Sequence, residues 1–366
     1  MKKALIVLLL LAFVVGSVFA QEGLTFSARV MAGLGFWKVG DDDPAWGILT
    51  PNGGSNGMRW NFIANYKNAD GTKGVYTYLR SRGAGNGARQ FNTMGSNGFH
   101  ILYAEGWFTA FDGLLKVQGG RMTDSPFGYG DWWGMDDPTD AAFGLMATVN
   151  ATDKIKFGAG GKGSNITAGD IESVTWFGGF RGDFGMVDAR AYFAARRDNV
   201  EAHVAADIKL DGITIGLPAY IYGIYKYADN GEFQFFPYVS FSMVKNLAVN
   251  LFGHIRITSD DGEDAVVGGM LTVAYTINNI IPRIGIAFLS GGTYAGAADG
   301  LRENFWSGGD YYDKGDAYLL IRPAVRCRTS SSSYVDFGVV MTSQIGDNKP
   351  DNALSFGAFV DLSVSF

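Results

Sequence analysis

Residues 24–36, LTFSARVMAGLGF, alternate between two kinds of side chain. Apolar residues occupy every second position from Leu24 and Phe26 to Phe36, and Arg29 and glycines are among the residues between them. A repeat of two residues is that of a β-strand, in which successive side chains point to opposite faces. The segment therefore predicts a strand with one apolar face and one face of different character.

The same alternation returns along the rest of the chain and predicts an all-β protein of about 18 strands. The predicted strands lie near residues 24–37, 58–67, 74–82, 98–110, 114–121, 141–149, 154–162, 171–181, 187–197, 200–210, 213–227, 233–244, 247–258, 265–277, 280–289, 316–328, 334–344 and 354–366. Most have roughly the nine to eleven residues that a tilted strand needs to cross a bilayer. If weak strands such as 114–121 or 154–162 merge into neighbouring loops, the expected number is 16.

The predicted connections alternate between short and long. Asp211-Gly212 and Lys245-Asn246 are short, whereas 38–57, 83–97 and 290–315 are long. Short turns at one end and long loops at the other are typical of outer-membrane barrels. We therefore expect a transmembrane antiparallel β-barrel whose apolar face meets lipid and whose other face surrounds a lumen.

The composition excludes several other classes. A chain that is 47% hydrophobic and 18% charged is unlike a disordered one. One cysteine and three histidines are too few for a disulfide framework or a Cys/His zinc cluster, so we expect no cofactor and no metal. The net charge of -6 argues against a nucleic-acid partner. A soluble β-sandwich would cover its outside with charges, and the low charged fraction favours lipid there instead.

The first 20 residues have the pattern of a secretory signal peptide. Met1-Lys2-Lys3 is basic, the twelve residues 4–15 are apolar, and 16–20 are mostly small. The apolar run is shorter than the roughly 20 residues that span a bilayer. We expect cleavage after Ala20 and a single barrel domain at 21–366.

The end of the sequence resembles that of Gram-negative outer-membrane porins. Phe366 is terminal, and Val364, Leu362 and Val360 precede it at every second position. In that family this pattern is the assembly signal. The resemblance implies a location in the bacterial outer membrane, contact with its lipid, and insertion by the barrel-assembly machinery. A homotrimer is among the assemblies it allows.

The third long connection, 122–140, carries a second resemblance. Pro126-Phe127-Gly128-Tyr129-Gly130 is similar to the Pro-Glu-Phe-Gly-Gly element of the inward-folded constriction loop of general porins, although the glutamate is absent. The resemblance implies that this loop enters the lumen. The carboxylates it would bring there are those of Asp124, Asp131, Asp136, Asp137 and Asp140.

The face opposite the apolar one carries more basic than acidic residues. The basic residues predicted to line the pore are Arg29, Arg59, Arg80, Arg82, Lys116, Arg190, Arg196, Arg256, Arg283, Arg322 and Arg326. The strand at 98–110 is ambiguous by pattern, but a charge on the lipid face costs up to a few kcal/mol near the midplane, so Glu105 is expected to face inward.

Charges on the wall and on the loop predict two alternatives for selectivity. If loop 122–140 folds inward, arginines and aspartates face each other across the channel, and ion selectivity is modest. If the loop stays outside, the wall dominates and the pore prefers anions. A third interpretation is that the loops are solvated outer caps and the arginines pair with lumen acids to keep the barrel rigid.

The predicted function is passive diffusion of small hydrophilic solutes, because barrels of 16–18 strands leave an aqueous lumen. A saccharide-selective channel and a structural or adhesive barrel that presents its loops are the alternatives. An enzyme is not expected, because no nucleophile and base are joined by a sequence signature. Gly158–Ser164 resembles a phosphate-binding loop only superficially, since Lys162 is followed by glycine and no helix is predicted after it.

Overall fold

The computed structural model describes residues 23–39, 45–49, 59–81, 99–123, 125–128, 143–163, 174–196, 199–223, 231–259, 265–290, 317–345 and 354–365. Within these residues the chain forms 18 antiparallel strands in one sheet. They are β1 (Leu24–Val39), β2 (Ala45–Leu49 and Arg59–Lys67), β3 (Lys73–Ser81), β4 (Phe99–Ala110), β5 (Leu115–Arg121), β6 (Phe143–Asn150), β7 (Ile155–Gly163), β8 (Thr175–Asp183), β9 (Val187–Arg196), β10 (Asn199–Leu210), β11 (Ile213–Gly216 and Ala219–Tyr222), β12 (Glu232–Phe235 and Tyr238–Phe241), β13 (Leu247–Thr258), β14 (Val266–Tyr275), β15 (Ile280–Ser290), β16 (Ala317–Arg328), β17 (Tyr334–Ile345) and β18 (Leu354–Ser365).

The sheet closes on itself into a barrel. β1 pairs with β2 on one side and with β18 on the other, in a register that runs from Arg29 opposite Ser365 to Val39 opposite Ser355. Every other strand pairs with its neighbours in chain order. The predicted fold class, an antiparallel barrel of 18 strands, is confirmed.

β11 and β12 each contain a proline, where the ladder of hydrogen bonds has a gap but the strand continues. Pro218 and Pro237 have no amide hydrogen to donate, so the ladder has a gap at each. The amide of Phe236 donates to the Pro218 carbonyl at 2.9 Å, and that of Gly253 donates to the Pro237 carbonyl at 2.8 Å. The pairing register is the same before and after each proline, so each pair of segments is one strand.

Two details of the predicted strand pattern need correction. The connection 38–57 was expected to be a loop, but Ala45–Leu49 pairs with residues 33–37 of β1, with Leu49 opposite Gly33. The merging of 114–121 or 154–162 into loops is also wrong, because β5 and β7 each pair with a strand on both sides. The alternative of 16 strands therefore fails.

The two faces of the sheet differ as the alternation predicts. Large apolar side chains such as Phe193, Leu251 and Leu354 are 54–62% exposed on the outer face. On the inner face, Asp336 and Asp361 are each 1% exposed. The apolar side of the strands thus points away from the lumen, and many charged side chains point into it.

A β-bulge explains why strand 98–110 is ambiguous by pattern. Tyr78 pairs with Tyr103, but the next residue, Leu79, pairs with Ile101, so Leu102 is an extra residue in β4. An extra residue reverses which parity faces inward. Glu105 therefore lies on the inner face, whereas Ile101, four residues earlier, is 50% exposed outside.

Eight short connections lie at one end of the barrel, here called the short-turn end: 68–72, 111–114, 151–154, 184–186, 211–212, 242–246, 276–279 and 329–333. Asn246 and Asn278 adopt positive φ values of 66° and 55° in two of these turns, a conformation that asparagine tolerates. Among the described residues, no helix is long and apolar enough to cross a membrane.

Candidate channel lumen

Eight of the basic residues predicted to line the pore have described side chains, and all eight lie on the inner face: Arg29, Arg80, Lys116, Arg190, Arg256, Arg283, Arg322 and Arg326. Arg82 lies outside the described residues, as do the side chains of Arg59 and Arg196. Asp124, Asp131, Asp136, Asp137, Asp140, Phe366 and the expected signal peptide also lie outside them.

One group of charges, the Asp336 cluster, comes from β15, β16 and β17. The Asp336 carboxylate is 2.6 Å from the Arg283 Nη2 and 2.7 Å from the Arg326 Nη2. Asp336 is buried, whereas the two arginine side chains are 21–23% exposed. Two cations share the Asp336 carboxylate, and a second buried carboxylate, that of Asp361, lies opposite Asp336 on β18.

Arg29 on β1 extends the Asp336 cluster through Tyr334. The Arg326 guanidinium lies 3.8 Å from the centre of the Tyr334 ring, a cation–π contact. Arg29 donates to the Tyr334 hydroxyl at 3.4 Å and to the Ser363 hydroxyl at 2.8 Å. The phenol thus separates two arginines that belong to strands on either side of the barrel closure.

A second group of charges, the Asp188 cluster, comes from β8, β9 and β10. The Asp188 carboxylate is 2.8 Å from Arg181, 3.1 Å from Arg190 and 3.8 Å from Lys209. Three cations thus surround the buried Asp188 carboxylate, and two further carboxylates, Asp183 and Asp207, lie opposite Asp188 on the neighbouring strands. The Asp188 cluster begins just after a short turn, as the Asp336 cluster does, and the two clusters are centred seven strands apart in the 18-stranded barrel.

Residues 122–123 and 125–128, here called the latch, lie against the inner wall. Phe127 is 1% exposed and belongs to an apolar cluster with Met122, Met146, Phe177, Tyr192 and Ala194. Met122 belongs to the latch itself, and the other four partners are inward-facing residues of β6, β8 and β9. The first part of connection 122–140 is thus inside the barrel, and residues 129–142 lie outside the described residues.

Glycines on the wall make room for the latch. A Cβ atom on Gly179 would lie 2.4 Å from the Phe127 Cγ, and one on Gly158 would lie 2.5 Å from the Phe127 ring. A Cβ on Gly144 would lie 2.7 Å from the Met122 Cε. Gly144, Gly158 and Gly179, here called the glycine cradle, let the aromatic and thioether side chains approach the backbone of the sheet. The glycine-rich run in β7 is therefore a packing surface.

Polar contacts hold both ends of the latch. The Thr123 amide and hydroxyl donate to the Glu105 carboxylate at 2.9 and 3.0 Å, and Glu105 is 6% exposed. At the other end Arg190 donates to the Gly128 carbonyl at 3.1 Å. Arg190 therefore joins the Asp188 cluster to the latch, in addition to facing the lumen.

The remaining predicted cations have local partners of other kinds. Arg80 donates to the Tyr78 hydroxyl at 3.2 Å, and Lys116 lies 5.6 Å from the Trp107 ring. Arg322 lies 4.6 Å from the Phe359 ring and is only 4% exposed, so its guanidinium has little contact with lumen water.

Arg256 and its neighbours form a further polar group on β12 and β13. Arg256 bonds to the Glu232 carboxylate at 2.8 Å. Next to it, the His254 ring stacks on Phe236 at 4.6 Å and contacts the Gln234 side chain at 3.0 Å. His254 is buried, and it acts here as a packed ring on the wall. Among the described residues, no group of histidine, cysteine and carboxylate side chains is placed to hold a metal ion.

Several functional residues escaped the sequence-based prediction. Arg181, the last residue of the predicted strand 171–181, and Lys209, within the predicted strand 200–210, were not singled out. The strand alternation places both on the inner face, so that signal could have found them. The inner-face tyrosines are engaged with wall residues, as when Tyr78 contacts Arg80 and Tyr192 lies buried beside Phe177. This arrangement does not favour a saccharide-selective channel.

Comparison with known proteins shows similarity at the level of the fold. No protein-family model and no curated protein sequence matches the chain. The outer membrane protein OprD from Pseudomonas aeruginosa has a TM-score of 0.56 at 10% sequence identity, with 94% of this chain and 95% of that one covered. OccAB1 from Acinetobacter baumannii has a TM-score of 0.57 at 8% identity, with 94% and 97% covered. OpdK from Pseudomonas aeruginosa, solved with vanillate, has a TM-score of 0.56 at 8% identity, with 93% and 99% covered. The chain therefore has the barrel fold of OprD-like porins.

Proposed function

We propose that this protein is an outer-membrane channel through which small hydrophilic solutes diffuse passively, and that it has no enzymatic role. The observation that carries the proposal is the closed barrel of 18 strands with an apolar outer face and a charged inner face. Barrels of this size enclose more space than wall side chains fill. An apolar belt outside is what a bilayer requires, because lipid offers no partner for a charge.

We infer that connection 122–140 narrows this channel. Its support is the latch, because Phe127 lies in the glycine cradle and Glu105 and Arg190 hold the two ends. A chain segment that begins on the inner wall is well placed to cross the lumen. The five aspartates of the connection would then face the wall arginines.

We infer a preference for anions at the short-turn end. The support is that the Asp188 carboxylate lies within 4 Å of three cations and the Asp336 carboxylate within 4 Å of two, at two places seven strands apart around the barrel. Asp183, Asp207 and Asp361 lie opposite these carboxylates and reduce the excess of positive charge. Rings of like charge are how such channels select ions. If the aspartates of the connection line the narrowest part, the field there is transverse, and overall selectivity is modest.

Conductance in planar bilayers tests the channel. A stable open step that scales with salt concentration supports it, and a correctly folded barrel that stays silent contradicts it and favours a structural or adhesive barrel.

Reversal potential under a salt gradient tests selectivity, and replacing Arg80 and Arg82 with glutamine should shift the reversal potential toward that of a cation-selective channel. The shift should shrink in 1 M salt, where charges are screened within about 3 Å.

We also propose export by the signal peptide at residues 1–20 and insertion by the barrel-assembly machinery. The support is β18, whose outward residues Phe356, Val360 and Leu362 continue the pattern that ends at Phe366. Deleting Phe366 should lower the amount of heat-modifiable barrel in the outer membrane without changing the conductance of the molecules that do assemble. Chemical cross-linking in membranes would reveal a homotrimer, if that is the assembly.

A further inference from the structure

The short-turn end of the barrel has two unlike halves. The turns 184–186, 211–212, 242–246 and 276–279 are consecutive around the rim and join β8 through β15. Four large apolar side chains lie at or beside them, have the outward parity of their strands and are 44–60% exposed: Phe184, Leu210, Met243 and Ile277. These four residues are here called the apolar rim. Met186 and Val244 are also exposed, but they occupy inward-parity positions.

The other half of the rim is mostly polar. Its turns are 329–333, 68–72, 111–114 and 151–154. Three of them consist of serine, threonine, asparagine, aspartate, lysine and small residues. The turn 111–114 differs, since Phe111 is 75% and Leu114 47% exposed. Phe111 continues the inward-facing alternation of β4, and Leu114 stands two residues before the first inward-facing residue of β5. Neither residue therefore extends the outer face.

The apolar rim does extend the outer face. After β8, β12 and β14, the first turn position that continues the outward-facing alternation of the strand is occupied by Phe184, Met243 and Ile277. The equivalent positions in the polar half are occupied by Asn68, Ala151 and Thr329. The Phe184 ring lies beside Phe180 over the outer side of Gly182, where a Cβ would be 2.6 Å from the Phe184 ring and 2.8 Å from the Phe180 ring. The apolar surface of the wall therefore passes onto the turns on this side.

Hydrogen bonds between the turns make the apolar rim one surface. The Ser242 amide donates to the Gly212 carbonyl at 2.7 Å, and the Lys209 amide donates to the Met186 carbonyl at 2.7 Å. Met243 lies on the turn at Gly212, whose Cβ position is 2.5 Å from the Met243 Cγ. The exposed side chains are thus presented by connected turns.

The charges nearest the apolar rim suit a headgroup region. Asp211 and Lys245 are exposed at the turn tips, and Lys209 is about half exposed. A lysine can place its methylenes against apolar groups and its ammonium in water or among lipid headgroups. Positive and negative charges are present in similar number, so apolar contact contributes more than charge to the attraction between this rim and lipid.

We propose that the lipid leaflet at the short-turn end covers the apolar rim, so that the barrel is tilted with the β8–β15 side inserted more deeply. The occupant is lipid because the rim continues the surface that the bilayer itself would cover. The proposal rests on the membrane location given under Proposed function. Apolar surface that stays in water is unfavourable in proportion to its area, and tilting removes it.

Spin labels in phosphatidylcholine vesicles test the tilt. In a Cys327→Ala background, single cysteines would be placed in the apolar rim by Phe184→Cys, Met243→Cys and Ile277→Cys. Matched sites in the polar half are Ala69→Cys, Ala151→Cys and Ser331→Cys, and Leu251→Cys reports the wall. Collision with oxygen reports lipid, and collision with a soluble nickel chelate reports water. We expect the rim labels to resemble the wall label, with at least a threefold higher oxygen-to-nickel ratio than the polar-half labels.

The possible results are distinguishable. Equal nickel access in both halves of the rim, with a lipid-exposed Leu251→Cys label, would overturn the tilt alone. Nickel access at Leu251→Cys as well would overturn the membrane location. Rim labels shielded from both reagents would mean that a second copy or another protein covers the rim, and this result also contradicts the proposal.

Discussion

Two regions of the inner wall face the same lumen but are built on different principles. The latch wall, on β4 to β9, has a glycine cradle into which Phe127 packs. The arginine wall, on β15 to β18 and β1, has Arg29, Arg283 and Arg326 around Asp336 and Tyr334. Glycine lets a chain segment approach the sheet, whereas long cationic side chains fill that space and keep their charge near water.

The difference teaches that the two walls have separate tasks in the proposed channel. The latch wall determines where a loop lies and so how wide the lumen is. The arginine wall determines which charge is preferred. Changes in the first should therefore alter conductance, and changes in the second should alter reversal potential.

The largest expected effect is that of Phe127→Ala. It removes a fully buried aromatic side chain, and such truncations cost about 3–5 kcal/mol. We expect the latch to leave the wall and single-channel conductance to rise. The reversal potential should change little, because the arginine wall is unaltered. Phe193→Ala, on the outer face, is the control. Unchanged conductance in Phe127→Ala would mean that the latch does not set the width.

Gly179→Ala disturbs the contact between Phe127 and the wall by changing the wall residue. The added Cβ would lie 2.4 Å from the Phe127 Cγ, and overpacking of this kind costs about 1–3 kcal/mol. Conductance should rise, or fluctuate between two levels, in planar bilayers. Gly178→Ala is the matched control, because its Cβ would meet only a carbonyl oxygen at 3.7 Å. The same response in both variants would point to general damage to β8.

Asp336→Asn should act on the arginine wall. Arg283 and Arg326 lose the carboxylate they share, at a cost of about 1–3 kcal/mol in stability because both keep contact with water. The positive potential in the lumen rises, so reversal potential should move toward anions. Arg326→Gln should move it the other way. If both variants move it in the same direction, the cluster does not act through its charge.

The smallest expected effect is that of Glu105→Gln. The glutamine can still accept from Thr123, but it loses a charge-assisted bond, which is worth about 1 kcal/mol. More frequent brief openings to the wide level are expected in single-channel records. Asp112→Asn, at an exposed turn on the same hairpin, is the control and should leave the records unchanged.

Particular residues show why some features could be predicted and others could not. Arg29, Arg283 and Arg326 were placed on the inner face because strand alternation is a local property. The bulge at Leu102 depends on pairing with β3, so the alternation of β4 alone was ambiguous. Ala45–Leu49 pairs with β1 although its own five residues carry little pattern.

The roles of residues within the lumen were harder to predict. Arg190 was predicted to line the pore, and it also bonds to the carbonyl of Gly128 on the latch. The glycines of β7 suggested at most a weak resemblance to a phosphate loop. Their use as a cradle depends on Phe127, which is 31 residues away from Gly158 along the chain.

The sequence by itself determined the strand class, a strand number of about 18 and the inner or outer side of most residues, because a period of two is imposed locally on every strand. Only the tertiary structure decided which inward residues meet. Closure of the sheet brings Arg29 to Tyr334 and Ser363, and the fold of residues 122–128 brings Phe127 to the glycines. These contacts join residues that are distant in the chain, and they depend on register, bulges and closure, which no single strand encodes.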